Sequence, residues 1–195
     1  MKTTRKIGVV TALLVSLAFA SQAQTTTPGN TASSSSSNDN EFRLSVGPEF
    51  GLPIGNFSNS YSWIFGGSIQ ADIPIIRSLY VTVNAGYQDA FVKSNEFPGR
   101  NLQLIPVKAG LKYFIVGNLI YVQAQAGATF LGNKSDAAAD KSTGFTYTPQ
   151  VGVLLPLAAK NYLDIGFRFE QTKSFYNEGS NFSTLGLRVA YSFGL

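Results

Sequence analysis

Nine charged residues share the polar face of stretches of the sequence where apolar and polar residues alternate. Buried carboxylates can act as general acids or bases, but neither Asp164 nor Glu170 stands beside an evident nucleophile. An isolated buried charge costs several kcal/mol, so a near-balanced set in an enclosed interior is expected to form ion pairs. The predicted interior charges are Arg43, Lys108, Lys112, Arg168 and Arg188 on the basic side and Glu49, Asp72, Asp164 and Glu170 on the acidic side.

The sequence contains no histidine and no cysteine, which removes most of the side chains that carry catalysis and metal binding. Hydrolases and acyl transferases of the Ser-His type need an imidazole as general base. The absence of cysteine excludes disulfides, thiolate nucleophiles, cysteine-rich zinc sites and the lipidated cysteine of a bacterial lipoprotein. Oxygen ligands such as Asp136 and Asp140 can coordinate calcium, although an ordinary solvated loop is favoured there. We therefore predict a non-enzymatic protein without a cofactor or a resident metal.

The composition is apolar and poor in charge. Of the 195 residues, 44% are hydrophobic and only 13% are charged, and the length suits one domain. Soluble domains have about 25% charged residues, so the deficit indicates a surface that does not all face water. The net charge of +4 falls to +1 when Lys2, Arg5 and Lys6 leave with the leader described next, because 12 basic residues then face 11 acidic ones. No basic patch remains, and nucleic acid is excluded as a partner.

Residues 1–23 have the three-part layout of a secretory signal peptide. Basic residues precede an apolar run over 7–20, and Ser21 and Ala23 stand just before the expected cleavage point. A helix that spans a bilayer needs about 20 apolar residues, and this run is shorter. Residues 24–41 contain the serine run 33–37 and no apolar periodicity, which predicts a flexible tether. We therefore predict export through a cleaved signal peptide.

From residue 42 onward the sequence alternates with period two, the pattern that places successive side chains on opposite faces of a strand. In one segment Leu79, Val81 and Val83 share a face, while Thr82 and Asn84 share the other. The charges lie on the face that carries Gly, Ser, Thr and Gln, and the opposite face is apolar. The eight predicted strands cover residues 42–50, 65–75, 79–91, 102–115, 120–130, 145–157, 162–172 and 182–193.

The connections between these segments alternate between short and long. Short turns at one rim and longer loops at the other are typical of outer-membrane barrels, whose short turns are periplasmic. The predicted fold is therefore an eight-stranded antiparallel up-and-down transmembrane β-barrel over residues 42–195. The N- and C-termini of the barrel are both expected in the periplasm. The short connections lie near 77–78, 117–118 and 159–161, and the long ones cover 51–64, 92–101, 132–144 and 176–181.

Aromatic residues gather near the predicted strand ends, where they resemble interfacial girdles. A soluble β-sandwich or lipocalin-like barrel also alternates, but its charges should point outward. The enclosed charges and the aromatic rims favour the membrane barrel over this alternative. One predicted rim contains Phe50, Trp63, Phe65, Phe91, Phe130 and Phe145, and the other contains Tyr80, Tyr113, Phe114, Tyr162 and Phe193.

The last predicted strand resembles the C-terminal signal that the barrel-assembly machinery reads in outer-membrane proteins. Phe193 is followed by two further residues, whereas that family usually ends on the aromatic residue. On this strand and the pattern over 42–195, the chain resembles the small outer-membrane β-barrel superfamily, namely the OmpA-type and OmpX-like barrels and the PorT-like barrels of Bacteroidetes. The resemblance implies outer-membrane lipid and the assembly machinery as partners and the bacterial outer membrane as location. The residues of the assembly signal are Gly186, Leu187, Val189, Tyr191 and Phe193.

These observations predict a non-enzymatic envelope protein that is structural or displays its loops to an envelope partner. The interior of an eight-stranded barrel is just wide enough for side chains to fill, so a salt-bridged plug is favoured over a porin-like conduit. The PorT-like resemblance implies an alternative role as an accessory subunit of an outer-membrane secretion or uptake assembly. A small-solute channel and a soluble periplasmic ligand-binding protein are further alternatives.

Overall fold

The computed structural model describes residues 41–93, 101–133, 141–175 and 180–195. The predicted signal peptide, the predicted tether up to residue 40, and both Asp136 and Asp140 lie outside the described residues. No helix in the described ranges is long and apolar enough to cross a membrane.

The described chain folds into eight strands and one short helix. Each strand pairs antiparallel with the next along the chain, and the last strand pairs with the first, which closes the barrel. This arrangement confirms the predicted eight-stranded up-and-down fold. The strands are β1 (Arg43–Ile54), β2 (Tyr61–Ile76), β3 (Leu79–Val92), β4 (Leu102–Val116), β5 (Ile120–Leu131), β6 (Thr143–Ala158), β7 (Asn161–Thr172) and β8 (Phe182–Gly194), and the helix α1 is Phe57–Ser60.

The first two strands extend about four residues further into their connection than the alternation predicted. The predicted first strand ends at Phe50, and the next residues include Gly51 and Pro53, which both weaken strands. In the structure β8 continues to pair with this segment, with Ile54 opposite Ser183. The predicted long loop over 51–64 therefore shrinks to residues 55–60, which contain α1.

The two ends of the barrel differ in their connections. One end, the turn end, has the short connections 77–78, 117–119 and 159–160 together with both ends of the barrel chain. Gly117 turns with a φ of 51°, a backbone conformation that glycine adopts without strain. The other end, the loop end, has the connections that join β1 to β2, β3 to β4, β5 to β6 and β7 to β8.

Burial alternates along the strands, with buried side chains facing into the barrel and exposed, mostly apolar ones facing outward. Lys108 is 1% exposed, whereas its neighbour Val107 is 44% exposed. Likewise Arg168 is 4% exposed beside Phe167 at 53%. This inverted arrangement is the opposite of a soluble barrel, in which charges face water.

Aromatic residues line the outside of the barrel near the loop end, on β1, β2 and β3. The rings of Trp63 and Phe91 stack with centroids 4.2 Å apart, and those of Phe50 and Phe65 are 5.0 Å apart. Both Trp63 and Phe50 are nearly half exposed. The surface suits the interfacial level of a bilayer, where amphipathic rings accumulate.

Two apolar clusters lie inside the barrel, one toward each end. The loop-end cluster includes Phe57 of α1 and Phe175, and the turn-end cluster contains Tyr80 and Phe114. The prediction that Tyr80, Phe114 and Tyr162 belong to an outer rim is wrong. Tyr80 and Phe114 share the inward face of their strands and are buried, and Tyr162 packs against them. The loop-end cluster consists of Phe57, Ile64, Ala90, Leu102, Leu104, Leu131 and Phe175 with Tyr61 and Phe182, and the turn-end cluster consists of Tyr80, Phe114, Tyr121, Leu154 and Tyr162.

Candidate functional site

The middle of the lumen holds the nine charges singled out in the sequence, which we call the lumen charges. The structure buries every one of them, and the most exposed, Glu170, is only 9% exposed. Strand β7 supplies three, because residues 164, 168 and 170 share one face of a period-two strand. The lumen charges are Arg43 and Glu49 on β1, Asp72 on β2, Lys108 and Lys112 on β4, Asp164, Arg168 and Glu170 on β7, and Arg188 on β8.

Toward the loop end the charges form two ion pairs across the barrel. Arg168 binds both carboxylate oxygens of Glu49, with its Nη1 2.8 Å from Oε1. Lys108 Nζ lies 2.5 Å from Glu170 Oε2 and 3.3 Å from the hydroxyl of Thr148. The bidentate contact is the stronger geometry, since a guanidinium matches a carboxylate with two parallel hydrogen bonds.

Toward the turn end two cations each lie between two carboxylates. Lys112 Nζ is 2.5 Å from Asp72 and 3.2 Å from Asp164. Arg188 is 3.5 Å from Asp164 and 3.6 Å from Glu49, so it links the ion pairs toward the turn end to those toward the loop end. Every carboxylate among the lumen charges thus has a cation partner.

Neutral side chains that the sequence reasoning did not single out complete this network. Tyr121 Oη donates to Asp164 at 2.5 Å and accepts from Gln150 Nε2 at 2.7 Å. Gln70 Nε2 donates to Asp72 at 2.8 Å and to Gln123 at 3.1 Å. Period-two alternation places all of these residues on the inward face, and that is the signal by which they can be found.

Arg43 differs from the other lumen charges because aromatic rings surround it. Its guanidinium carbon is 5.0 Å from the ring centres of Tyr80 and Tyr162 and 5.5 Å from that of Phe114. Its three guanidinium nitrogens are buried and have no hydrogen-bond acceptor among the described residues. Cation–π attraction therefore holds this charge within the turn-end cluster.

Glu41 is a further buried charge, at the position where the predicted tether ends. Its carboxylate is 3.3 Å from Lys160 Nζ and 3.5 Å from the hydroxyl of Tyr162, and the residue is 7% exposed. It stands two residues before Arg43 and therefore shares the inward face. Glu41, which the prediction placed in the tether, thus contacts the barrel.

The predicted assembly signal lies on β8, which pairs with both β7 and β1. Leu187 and Tyr191 face outward and are each about 40% exposed, and Gly186 is buried. The rings of Tyr191 and Phe193 lie 5.8 Å apart. Phe193 is not the last paired residue, since Gly194 pairs with Arg43. Recognition of these residues by the assembly machinery stays a prediction.

The lumen is arranged for packing and pairing of charge. The ion pairs lie between two apolar clusters, and the described residues contain no group of three or more acidic, histidine or cysteine side chains positioned to hold a metal ion. Pairs of this kind, once enclosed, strongly resist separation because one charge alone in the interior is unfavourable.

Comparison with solved structures finds the same fold in small outer-membrane barrels. The outer membrane protein OprG from Pseudomonas aeruginosa aligns with a TM-score of 0.52 at 10% identity, over 80% of this chain and 96% of OprG. AlkL, determined in lipid bilayers, aligns with a TM-score of 0.52 at 16% identity, over 88% of this chain and 96% of AlkL. Ail of Yersinia pestis aligns with a TM-score of 0.49 at 13% identity, over 79% of this chain and 99% of Ail. No curated protein matches the chain in sequence.

The identities to these solved structures are low and show only a shared fold. Membership of a family is shown by a family model. The model of the outer membrane protein β-barrel domain matches residues 10–193, which is most of the chain. The match confirms the predicted class of small outer-membrane barrels and indicates the bacterial outer membrane as the location. The chain belongs to the outer membrane protein β-barrel domain family.

Proposed function

We propose that this protein is a non-enzymatic outer-membrane barrel with a closed lumen, which stiffens the envelope or displays its loop end to an envelope partner. The observation that carries the proposal is the filled interior: two apolar clusters with the paired lumen charges between them. Such an interior gives rigidity and leaves the loops as the variable surface.

The filled lumen opposes a role as a small-solute channel. A solute that crosses the barrel has to displace Phe57 and Phe175, then the paired charges, then the turn-end cluster. Leaving one charge of a buried pair without its partner costs about 3–5 kcal/mol. A conduit therefore requires several unfavourable rearrangements in series.

The composition and the pairing oppose an enzyme. Histidine and cysteine are absent, and each carboxylate among the lumen charges is held by a cation. A general base must be within hydrogen-bond reach of the proton that it removes from a substrate. The apolar clusters block that approach from both ends.

We further propose that the turn end faces the periplasm and the loop end faces the cell exterior. An even number of strands leaves the N- and C-termini of the barrel both at the turn end, and short turns are periplasmic in barrels of this kind. In this orientation the leader over 1–23 is cleaved and the tether over 24–40 lies in the periplasm. The cleavage of the leader is inferred from its three-part layout described above.

Planar-bilayer recording tests the closed lumen. The refolded protein is first shown to be folded by its heat-modifiable shift on a gel and is then added to the bilayer. We expect no conductance above the protein-free background. Reproducible conductance steps from the folded fraction contradict the proposal and favour the channel.

Complementation separates stiffening from display. In a strain that lacks the protein, the test variant carries Asn56→Ala and Asn59→Ala, which change exposed side chains of the loop end and keep Phe57 in the loop-end cluster. A stiffening role predicts that the variant restores resistance to detergent as fully as wild type. A display role predicts that the variant reaches the outer membrane in normal amount but does not restore the phenotype.

A further inference from the structure

One charged side chain of the strands points away from the lumen. The eight strands contain ten charged residues, of which nine are the lumen charges and the tenth is Asp89 on β3. Its chain neighbours Gln88 and Ala90 are buried, whereas Asp89 itself is partly exposed. Successive residues of a strand point to opposite faces, so the carboxylate of Asp89 lies on the apolar outer wall.

Asp89 lies on the bilayer side of the aromatic residues at the loop end. Phe91 shares the outward face of β3 with Asp89 and stacks on Trp63 of β2. Because β3 runs toward the loop end, both of these rings lie nearer to that end than Asp89 does. Aromatic rings mark the membrane interface, and an acidic side chain on the lipid side of that level is usually paired with a positive group.

The side chains around Asp89 are aromatic rings and one amide. Tyr87, on the same face of β3, donates from its hydroxyl to Asp89 Oδ1 at 3.2 Å. Phe65 is opposite Asp89 on β2, and Gln103 is opposite it on β4. Directly opposed residues of antiparallel strands have Cβ atoms about 4.5–5.5 Å apart. A carboxylate among aromatic rings is suited to an organic cation, which is attracted by both.

The outer wall limits which cation can reach this carboxylate. No lysine or arginine of the described residues forms an ion pair with Asp89. A second copy of the barrel presents the same outer faces, and its strands carry no lysine or arginine there. Lipid surrounds the wall, and at the level of the aromatic residues it presents its headgroups. Charge complementarity therefore favours a lipid headgroup over a second copy.

A primary ammonium matches the groups around Asp89 more closely than a quaternary one. It has N–H donors for the carboxylate oxygen that Tyr87 leaves free, and a hydrogen bond between two charged groups is strong. Its charge is also attracted to the rings of Tyr87 and Phe65. The amide of Gln103 can donate to a phosphate oxygen of the same headgroup.

We infer that Asp89 binds the primary ammonium of a phospholipid headgroup, with Tyr87, Phe65 and Gln103 around it. The inference goes beyond the proposed function, because it needs neither a closed lumen nor a display role. Only the leaflet that supplies the lipid depends on the proposed orientation.

Fluorescence of Trp63, the single tryptophan, measures which lipid occupies this part of the wall. One barrel is placed in each nanodisc with phosphatidylethanolamine and phosphatidylcholine, and bromine on the acyl chains of one lipid or the other quenches the signal. We expect a preference of about threefold for phosphatidylethanolamine, within the range of an exposed ion pair. Asp89→Asn should remove the preference, and Asp89→Glu should keep most of it.

The matched control is Gln171→Ala, which changes an outward polar residue on β7, four strands away from β3. It should keep the wild-type preference, and each variant is first shown to be folded by its heat-modifiable gel shift. Equal quenching by the two lipids in wild type would mean that water alone solvates Asp89, and it overturns the inference. A preference that survives Asp89→Asn also overturns it, as does a preference for phosphatidylglycerol that requires Mg²⁺, which indicates a metal bridge.

Discussion

Two arginines of the lumen show how differently a barrel interior can hold the same side chain. Arg188 lies within 3.6 Å of Glu49 and 3.5 Å of Asp164, and it donates to the hydroxyl of Ser45 at 2.9 Å. Arg43 lies against three aromatic rings, and its guanidinium has no hydrogen-bond acceptor among the described residues. Removal of one partner of a buried pair leaves the other charge uncompensated, whereas removal of an unpaired charge leaves none.

The variant Arg188→Met should therefore be strongly destabilised. The change leaves Glu49 with Arg168 alone and Asp164 with Lys112 alone, inside a closed lumen. Because each carboxylate keeps one cation, we expect the free energy of unfolding to fall by about 1–3 kcal/mol, as measured by urea titration of the refolded barrel in lipid vesicles. A loss below about 1 kcal/mol would show that Arg188 adds little to the network.

The matched variant Arg43→Met should be nearly neutral. It removes cation–π contacts worth up to about 2 kcal/mol, but it also removes three buried nitrogens without acceptors and keeps an apolar chain against the rings. The same urea titration should place its free energy of unfolding within about 1 kcal/mol of wild type. A loss as large as that of Arg188→Met would mean that Arg43 has an acceptor in solution.

At the scale of the strands, glycines on the inner face make room for the largest lumen side chains. Gly152 on β6 and Gly166 on β7 flank Tyr121, which reaches from β5 to Asp164. An added Cβ at Gly152 would lie 2.4 Å from the Tyr121 hydroxyl oxygen and 2.6 Å from the carbonyl oxygen of Ile165. The position of Tyr121 beside β6 and β7 therefore requires a residue without a side chain at Gly152.

The substitution Gly152→Ala should displace Tyr121 and weaken its bond to Asp164. We expect a loss of about 1–3 kcal/mol in the free energy of unfolding, the usual cost of an overpacked interior. Gly67→Ala is the control, because a Cβ there meets only the carbonyl oxygen of Gly47, at 3.5 Å. Equal stability of the two variants would show that Tyr121 can move without loss.

At the scale of the whole molecule, closure of the sheet turns the outer faces of all strands into one apolar wall. The wall carries large side chains such as Phe145, 59% exposed, and Leu111, 50% exposed. A soluble protein rarely exposes a contiguous apolar surface of this extent. Family membership and this wall together explain why lipid is the solvent of the barrel exterior.

Fluorescence of the single tryptophan tests how the barrel sits in lipid. Trp63 lies on the outer wall near the loop end and stacks on Phe91. We expect stronger quenching by lipids brominated near the headgroup end of the acyl chain than by lipids brominated near its terminus, since aromatic rings lie at the interface. Efficient quenching by aqueous iodide would contradict this, and Trp63→Phe supplies the background signal.

The alternation of residue types was sufficient to predict the number of strands, their order along the chain and the direction of each face. Period two is a local property of the backbone, so Val107 and Lys108 are assigned to opposite faces without knowledge of any partner strand. The pattern failed at Gly51 and Pro53, where pairing with β8 outweighs the weak strand propensity of both residues.

Contacts across the lumen were decided only by the tertiary structure. Closure and stagger of the sheet determine that Arg188 lies between Glu49 and Asp164, and that Tyr80 and Phe114 enclose Arg43. Residues far apart in the chain meet there at distances that depend on how all eight strands are staggered around the barrel. Sequence period determines which way a side chain points, and only the closed barrel determines what it meets.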